Sequence, residues 1–156
     1  MHIRILIADD NVAVRTALRE LLKAEGWEIV EAANGKEAVA RTQETKPHLV
    51  ILDLAMPSMD GLTASREITK LLPDTPIIMH TLYSSPHVEM EGRKVGVRKM
   101  IAKSESSHLL SAIRELLDLE TSGTTQTPSR TSAGECCVNC DGGHARRDAG
   151  QSRRRC

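Results

Sequence analysis

Acidic side chains follow two apolar runs of this sequence. The segment IRILIADD places Asp9 and Asp10 after one run, and the segment HLVILDLAMPSMDG places Asp53 after another. Burial of an isolated carboxylate costs free energy, so each group needs partners or a chemical role. Three carboxylates brought close together would repel one another unless a cation were present. A few carboxylate oxygens, with water as the remaining ligands, suit Mg²⁺, which also shares phosphate oxygens.

A hydroxyl group and an ammonium group end two further apolar runs. Thr81 follows the run IIMH, and Lys103 follows the run VRKMIA. If the four runs are parallel strands, their carboxyl ends lie along one rim of a sheet, where ligand sites of open α/β folds form. The sequence therefore predicts a single site that contains Asp9, Asp10, Asp53, Thr81 and Lys103.

Strand-like and helix-like patterns alternate along residues 1–119. The strand candidates are Ile3–Ala8, Trp27–Ala32, Leu49–Leu52, Ile77–His80 and Val97–Ala102. The helix candidates are a stripe of Val14, Leu18, Leu21 and Leu22, the ranges Gly35–Thr45, Leu62–Leu72 and Pro86–Val95, and a stripe of Leu109, Leu110, Ile113, Leu116 and Leu117. Three strands are almost continuously apolar, as a sheet covered on both faces requires. We therefore expect an α/β fold with a doubly wound, five-stranded parallel sheet and five helices.

Short motifs lie at the predicted strand ends and turns, in the order Asp9-Asp10, Asp53, Met56-Pro57, Asp60-Gly61, Thr81 and Lys103. In this combination they resemble the receiver domain of two-component response regulators, and the resemblance covers residues 3 to about 118. It implies a flavodoxin-like sheet with strand order 2-1-3-4-5. It also implies a phosphorylation-dependent switch and not an enzyme, with only self-phosphorylation and self-dephosphorylation chemistry.

The resemblance implies that Asp53 is the phosphoacceptor, which takes a phosphoryl group from a histidine kinase. The implied ligands of a Mg²⁺ cofactor are Asp9, Asp10, Asp53 and the backbone carbonyl of Ala55. A carboxylate is an acceptable nucleophile here because the cation neutralises nearby charge and orients the phosphoryl donor.

By the same resemblance, Thr81 and Lys103 contact the phosphoryl oxygens. Lys103 is a compact cation that can pair with Asp53 before the transfer and with the phosphoryl group after it. Thr81 carries a short hydroxyl that can move toward the new oxygens, and this movement converts a change of charge into a loop shift.

The resemblance implies partners as well. The upstream partner is a sensor histidine kinase or a phosphotransfer protein. The output surface comprises the fourth helix, the fifth strand and the fifth helix, which would contact an unidentified downstream protein or a second copy of the chain. The predicted fourth helix is polar and contains Gly92, so we expect it to shift easily.

Each motif residue also has a plain structural interpretation. Asp53 could cap a helix or pair with a cation, and Asp9 and Asp10 could cap the first helix. Thr81 could be an ordinary turn hydroxyl, and Lys103 could be a surface lysine. Their joint occurrence at four strand ends favours the functional interpretation. His80 and His48 lie in strand patterns, which indicates packed or edge residues.

Three positions depart from the family pattern. Met100 stands where many receivers have an aromatic residue, and Leu82 stands where many have Ala. We expect Leu82 to fill the space that an inward aromatic side chain needs. Ser104 replaces the usual proline after the lysine, which removes the expected cis X-Pro bond. A non-proline residue there resembles receivers attached to helix-turn-helix DNA-binding domains of the nitrate-response type.

The composition changes near residue 119. Residues 120–156 contain no Leu, Ile, Met or aromatic residue and are rich in Ser, Thr, Gly and Arg. Such a segment cannot bury enough apolar surface to offset the entropy of ordering. We therefore expect a receiver domain over residues 1–119 and a low-complexity, disordered tail over residues 120–156, without a DNA-binding domain. Metal ligands could be supplied in this tail by Cys136, Cys137, Cys140 and His144, but adjacent cysteines without an apolar core favour no bound zinc.

Charge and hydropathy exclude several classes of function. The chain has 156 residues with 21 Lys+Arg and 21 Asp+Glu, so no net charge directs it to DNA or to a membrane. The run Ile3–Ala8 is too short to span a bilayer and leads directly into two aspartates, unlike a secretory signal. The four cysteines all lie in the tail, so disulfides do not staple the main body. We expect a cytoplasmic protein.

Three hypotheses for the function remain. The first is a phosphoacceptor that relays a signal or acts by binding a protein. The second is the receiver half of a transcription regulator whose DNA-binding half is missing or replaced. The third is a receiver-fold module that binds partners without being phosphorylated. The five intact motif residues argue against the third, and the downstream coding sequence separates the first two.

Overall fold

The computed structural model of the protein describes residues 2–121. The strands in this part of the chain are β1 (Arg4–Ala8), β2 (Glu28–Ala32), β3 (Leu49–Leu52), β4 (Ile77–Thr81) and β5 (Val97–Ala102). Neighbouring strands are parallel, and their order in the sheet is β2-β1-β3-β4-β5. The predicted fold class and strand order are therefore confirmed.

The helices of the described region connect and follow these strands. They are α1 (Val12–Lys23), α2 (Gly35–Thr45), α3 (Gly61–Leu71), α4 (Pro86–Lys94) and α5 (Ser106–Thr121). The first four begin after a residue whose side chain accepts a hydrogen bond from first-turn N–H groups, namely Asn11, Asn34, Asp60 and Ser85. These caps satisfy donors that have no partner within the helix. No helix among them has the length and hydropathy needed to cross a bilayer.

Some element ends differ from the sequence prediction. β4 extends beyond His80 to Thr81, because Thr81 still pairs with Ala102 of β5. β1 and β2 each begin one residue later than predicted. The helix α5 continues to Thr121, and the domain boundary at residue 119 stays a prediction. The remaining tail, with its predicted disorder and its cysteines, lies outside the described residues.

Apolar side chains cover both faces of the sheet. Along β1, Ile5 and Ile7 pack into one layer with α1 and α5, whereas Leu6 and Ala8 pack into the other layer with α2 and α3. This double burial explains the almost continuous apolar runs. Trp27, directly before β2, is partly buried against the first layer at the amino ends of the strands.

The helix α4 contacts the sheet through a glycine. Gly92 is the buried residue of this helix, and a Cβ atom there would lie 3.3 Å from Cε of Met100 and 3.4 Å from Cβ of Val97. Met90 on the same helix is 54% exposed. A short polar helix that packs through so small a residue is an element with low local stability.

Candidate functional site

Three carboxylates meet at the carboxyl ends of two neighbouring strands. Asp9 and Asp10 follow β1, and Asp53 follows β3, which lies beside β1. One carboxylate oxygen from each residue lies within 4.8 Å of the others. Asp9 and Asp53 are buried, whereas Asp10 is exposed. The structure thus brings together the three carboxylates that the sequence predicted as metal ligands.

Lys103 supplies a positive charge to this cluster. Its Nζ lies 2.6 Å from Oδ2 of Asp9 and 3.2 Å from Oδ2 of Asp53. The lysine begins a short 3-10 turn directly after β5, and its side chain is 12% exposed. The interpretation of Lys103 as a surface lysine is therefore wrong. Loss of Lys103 would leave the charges of the buried Asp9 and Asp53 uncompensated, which destabilises the folded state.

The titration of these groups reflects their burial and their crowding. Burial and the charge of Asp9 raise the pKa of Asp53 above the usual aspartate value, against the opposing attraction of Lys103. Burial acts to lower the pKa of Lys103, but its hydrogen bond to Asp9 and the charge of Asp53 raise that pKa overall. One ammonium group does not fully offset two buried carboxylates, and a divalent cation would do so.

The donor set fits Mg²⁺. Carboxylate oxygens from Asp9, Asp10 and Asp53 leave room in an octahedral shell for water and for a phosphate oxygen. The carbonyl of Ala55, the fourth expected ligand, belongs to the loop after Asp53, where Ala55 is exposed. The assignment of that carbonyl as a ligand stays a prediction.

A backbone hydrogen bond joins the two ends of the loop between β3 and α3, next to Asp53. The N–H of Gly61 donates to the carbonyl oxygen of Leu54 at 2.8 Å. The carboxylate of Asp60 accepts from the N–H of Thr63 at 2.9 Å and so caps α3. The Asp60-Gly61 motif therefore fixes the end of the loop, through the side chain of Asp60 and the backbone N–H of Gly61.

Thr81 is the last residue of β4, and its hydroxyl is engaged locally. The hydroxyl donates to the carbonyl oxygen of Tyr83 and accepts from the Tyr83 N–H, both at 3.3 Å. These distances are long for hydroxyl hydrogen bonds. Thr81 therefore lies at the predicted rim, where its hydroxyl contacts the following turn.

The side chain of Leu82 points into solvent and not into the interior. It is 67% exposed, and Met100 packs instead against the layer that contains α2 and α3. The expectation that Leu82 fills the space of an inward aromatic residue is therefore wrong. The chain leaves the sheet after Thr81, so the side chain that follows the inward threonine turns outward.

His80 is buried without a hydrogen-bond partner. It is 2% exposed, and among the described residues neither Nδ1 nor Nε2 has a partner. Burial and the positive charge of Lys103 lower the pKa of His80. The expectation of a packed residue is confirmed for His80, whereas His48 is exposed and accepts at Nδ1 from the N–H of Arg4 at 3.0 Å.

Arg15 also contacts the backbone of the site, although no sequence motif marks it. Its Nη1 donates to the carbonyl oxygen of Asp9 at 2.6 Å. Arg15 shares i, i+3 and i+7 spacing with Leu18 and Leu22, so it lies on the buried face of α1. A cation on the apolar face of a predicted helix is the signal that could have revealed it.

The fold and this acidic rim define an α/β domain with three carboxylates that could hold a metal ion at the carboxyl ends of its strands. A sequence model of the response regulator receiver domain matches residues 5–114. The chain belongs to the response regulator receiver family. Receiver domains act as phosphorylation-dependent switches in two-component systems, are characteristically phosphorylated on an aspartate, and bind Mg²⁺ at an acidic pocket.

Known relatives include free receivers and larger regulators. Chemotaxis protein CheY of Thermotoga maritima is 34% identical over 115 residues, which cover 72% of this chain and 96% of that protein. Transcriptional regulatory protein YdfI of Bacillus subtilis is 39% identical over 109 residues, which cover 69% of this chain and 51% of that protein. A CheY-like receiver domain protein from Methanospirillum hungatei has a similar structure, with a TM-score of 0.75 and 30% identity over 78% of this chain and 98% of that chain.

Proposed function

We propose that this protein is a phosphoacceptor of a two-component system, in which Asp53 receives a phosphoryl group in a Mg²⁺-dependent reaction. The donor is a sensor histidine kinase or a phosphotransfer protein. One observation carries the proposal. Three carboxylates have oxygens within 4.8 Å of one another, and the ammonium group of Lys103 pairs with both Asp9 and Asp53.

Asp53 has the central position among these groups. The strand that precedes it, β3, lies between β1 and β4. A phosphoryl group on Asp53 would therefore have the acidic pocket on one side and the Thr81 hydroxyl on the other. Both carboxylate oxygens of Asp9 are already engaged, by the N–H of Asn11 at 2.9 Å and by Lys103 at 2.6 Å. These contacts support Asp53 over Asp9 as the acceptor.

In the proposed transfer, a carboxylate oxygen of Asp53 attacks the phosphorus atom. The bond from phosphorus to the imidazole nitrogen of the donor breaks, and its electron pair goes to that nitrogen. Mg²⁺, when bound, neutralises the repulsion among the carboxylates and the charge on the phosphoryl oxygens. Lys103 then exchanges its hydrogen bond with Asp53 for one with a phosphoryl oxygen. The side chains of the site thus act by positioning the reacting groups and by stabilising charge in the transition state.

The same transfer would move the loop after β4. The two long hydrogen bonds between the Thr81 hydroxyl and the Tyr83 backbone are weak, so a charged phosphoryl oxygen competes well for that hydroxyl. Movement of Thr81 pulls the loop that leads into α4. Because α4 packs on β5 through Gly92, the helix can follow at low cost.

The output surface in this proposal is formed by α4, β5 and α5. A cleft of about 330 Å³ lies beside α4 and is lined by Glu89, Arg93, Val97, Arg98, Lys99 and Met100. Its shape depends on how α4 sits on β5. A downstream protein or a second copy of the chain would therefore bind the phosphorylated and unphosphorylated forms with different affinity.

Labelling with a small phosphoryl donor tests the proposal. The protein is incubated with acetyl phosphate and Mg²⁺, and intact-mass analysis follows the addition of one phosphoryl group. We expect labelling of the wild type and none of Asp53→Asn. Asp74→Asn is the matched control, because it makes the same change at an exposed residue. Equal labelling of wild type and Asp53→Asn would remove Asp53 from this role, and no labelling at all would favour a phosphorylation-independent binding module.

The similarity to YdfI supports a second candidate function. The matched region covers 51% of that transcriptional regulatory protein. In this candidate, the chain is the receiver part of a transcription regulator, and the described domain controls DNA binding by another domain without binding DNA itself. The DNA sequence that follows the codon of Cys156 distinguishes the two candidates, because a helix-turn-helix coding region there would favour the regulator.

A further inference from the structure

Arg15 joins the first helix to the end of the first strand. Its Nη1 donates to the carbonyl oxygen of Asp9 at 2.6 Å, and its side chain is 14% exposed. A buried carbonyl at a strand end needs a donor, and a guanidinium supplies a charge-assisted one. Arg15 therefore holds the backbone of the site. Its hydrogen bond to the Asp9 carbonyl and its ion pair with Glu31 do not involve the carboxylate groups of Asp9, Asp10 or Asp53.

Arg15 is in turn held by Glu31 of β2. Nε of Arg15 lies 3.6 Å from Oε1 of Glu31, and Nη1 of Arg19 lies 3.1 Å from Oε2 of the same carboxylate. Glu31 pairs in register with Ile7 of β1. Arg15 is thus anchored to the sheet. The negative charge of Glu31 offsets the positive charge of Arg15, which would otherwise disfavour a cation at the nearby carboxylates.

The carbonyl that Arg15 holds belongs to a peptide unit shared by two expected metal ligands. The oxygen of Asp9 and the nitrogen of Asp10 lie in one rigid plane, because the peptide bond resists rotation. Orienting that oxygen orients the α-carbons from which both carboxylates extend. Asp9 is further restrained by the N–H of Asn11, whereas the exposed Asp10 depends on its backbone for position.

We propose that Arg15 is a positioning residue of the Mg²⁺ site. Anchored by Glu31, it fixes the peptide plane between Asp9 and Asp10, and it thereby sets the affinity for Mg²⁺. The inference rests on the proposed function in assuming that these carboxylates bind Mg²⁺. Asp53 phosphorylation is not part of it.

Calorimetric titration of Mg²⁺ into the full chain tests this inference. Arg15→Met removes the donor but keeps an apolar side chain of moderate length, and we expect the dissociation constant for Mg²⁺ to rise about tenfold, as for other outer contacts of metal ligands. Arg15→Gln, which is too short to span Asp9 and Glu31, should produce the same change. Either variant suffices if the other does not fold.

Arg19→Met is the matched control. Arg19 lies on the same helix and pairs with the same Glu31 carboxylate, but its hydrogen bonds go to glutamates. Its replacement should leave the dissociation constant for Mg²⁺ unchanged. An unchanged constant in a folded Arg15 variant, or an equal rise in Arg19→Met, would overturn the inference.

Saturating Mg²⁺ provides a second readout. If Arg15 acts by positioning ligands, high Mg²⁺ should restore the rate of acetyl phosphate labelling in Arg15→Met to nearly the wild-type value. A rate that stays low at saturation would contradict the inference. A wild-type protein that binds Mg²⁺ but is not labelled on Asp53 would contradict only the proposed function, because the calorimetric comparison does not depend on labelling.

Discussion

The α-carbon of Gly61 lies so close to Asp53 that a Cβ atom on residue 61 would be 2.3 Å from the carbonyl oxygen of Asp53. The same Cβ would be 3.0 Å from Cα of Leu54. Both neighbours are backbone atoms of the loop that carries the expected phosphoacceptor, so they cannot move aside as a flexible side chain could. The start of α3 and the position of Asp53 are therefore mechanically coupled.

The variant Gly61→Ala should be destabilised and slower to accept a phosphoryl group. Overpacking of this kind costs roughly 1–3 kcal/mol of unfolding free energy. Displacement of the Asp53 backbone also spoils the geometry of the pocket. Urea unfolding measures the first effect, and the rate of acetyl phosphate labelling measures the second.

Gly26→Ala is an informative comparison for that variant. Gly26 has φ +83 with no atom close to its Cβ position, so alanine there costs about 1 kcal/mol through backbone strain alone. We expect lower stability in Gly26→Ala with an unchanged labelling rate. A normal labelling rate in Gly61→Ala would show that the close approach serves folding only.

The variant Lys103→Met should lose stability in the absence of metal and regain part of it with Mg²⁺. Removal of the ammonium group leaves two buried carboxylates without their cation, at a cost of roughly 3 kcal/mol. Mg²⁺ binding to the native state offsets this loss by mass action. Urea unfolding with a chelator and with excess Mg²⁺ measures both effects. Lys99→Met is the control, because Lys99 pairs with the exposed Glu115, and its loss costs less than about 1 kcal/mol.

The variant Asp10→Ala should bind Mg²⁺ more weakly and yet be more stable without it. The carboxylate of Asp10 is an expected ligand, and its loss should raise the dissociation constant at least about tenfold, or about 1.4 kcal/mol. Without metal, the same deletion removes a like charge from the cluster and relieves repulsion. Calorimetry should therefore show weaker Mg²⁺ binding, whereas urea unfolding in the presence of a chelator should show a higher free energy of unfolding. Asp74→Ala, at an exposed position, should change neither quantity.

The variant His80→Leu should be more stable than the wild type, and its stability should depend less on pH. The native state disfavours protonation of His80, so its pKa lies below the ordinary value of 6.5. As the pH falls below about 6.5, the unfolded chain takes up a proton that the native state refuses, and the unfolding free energy decreases. Leucine abolishes this decrease and also removes two unpaired ring nitrogens, a gain of roughly 1 kcal/mol.

The histidine prediction is checked by urea unfolding of wild type and His80→Leu at several pH values between about 5 and 8, which gives the free energy of unfolding at each pH. His108→Leu makes the same change at an exposed histidine and is the matched control for the substitution itself. If the difference between wild type and His80→Leu stays constant across this range, His80 is not the group that titrates.

The strands and the cluster of charges could be predicted because local patterns determine them. β3 and β5 have the predicted bounds, since apolar runs mark strands that are covered by helices. The approach of Lys103 to Asp9 and Asp53 follows from parallel strands that end at one rim. To predict these features, only the order of the apolar runs in the sequence and the parallel direction of the strands have to be known.

The directions of individual side chains beyond strand ends could not be predicted. The exposure of Leu82 depends on the path of the chain after Thr81, and no periodic pattern fixes that path. The contact of Arg15 could not be predicted because its partner is a backbone carbonyl outside its own helix. Ser58, with φ 68, likewise adopts a left-handed conformation that its side chain does not favour, so the surrounding loop must impose it.

The position of Trp27 has a consequence for spectroscopy. It is the chain's only tryptophan, and it precedes β2, whereas the carboxylates follow the opposite ends of the strands. A strand of 5 residues at about 3.3 Å per residue separates the indole from the rim by roughly 16 Å. Its fluorescence emission will follow denaturation of the α1 and α5 layer but will not respond to the arrival of Mg²⁺. A dye attached near the exposed Tyr83 would be required to observe metal binding or phosphorylation optically.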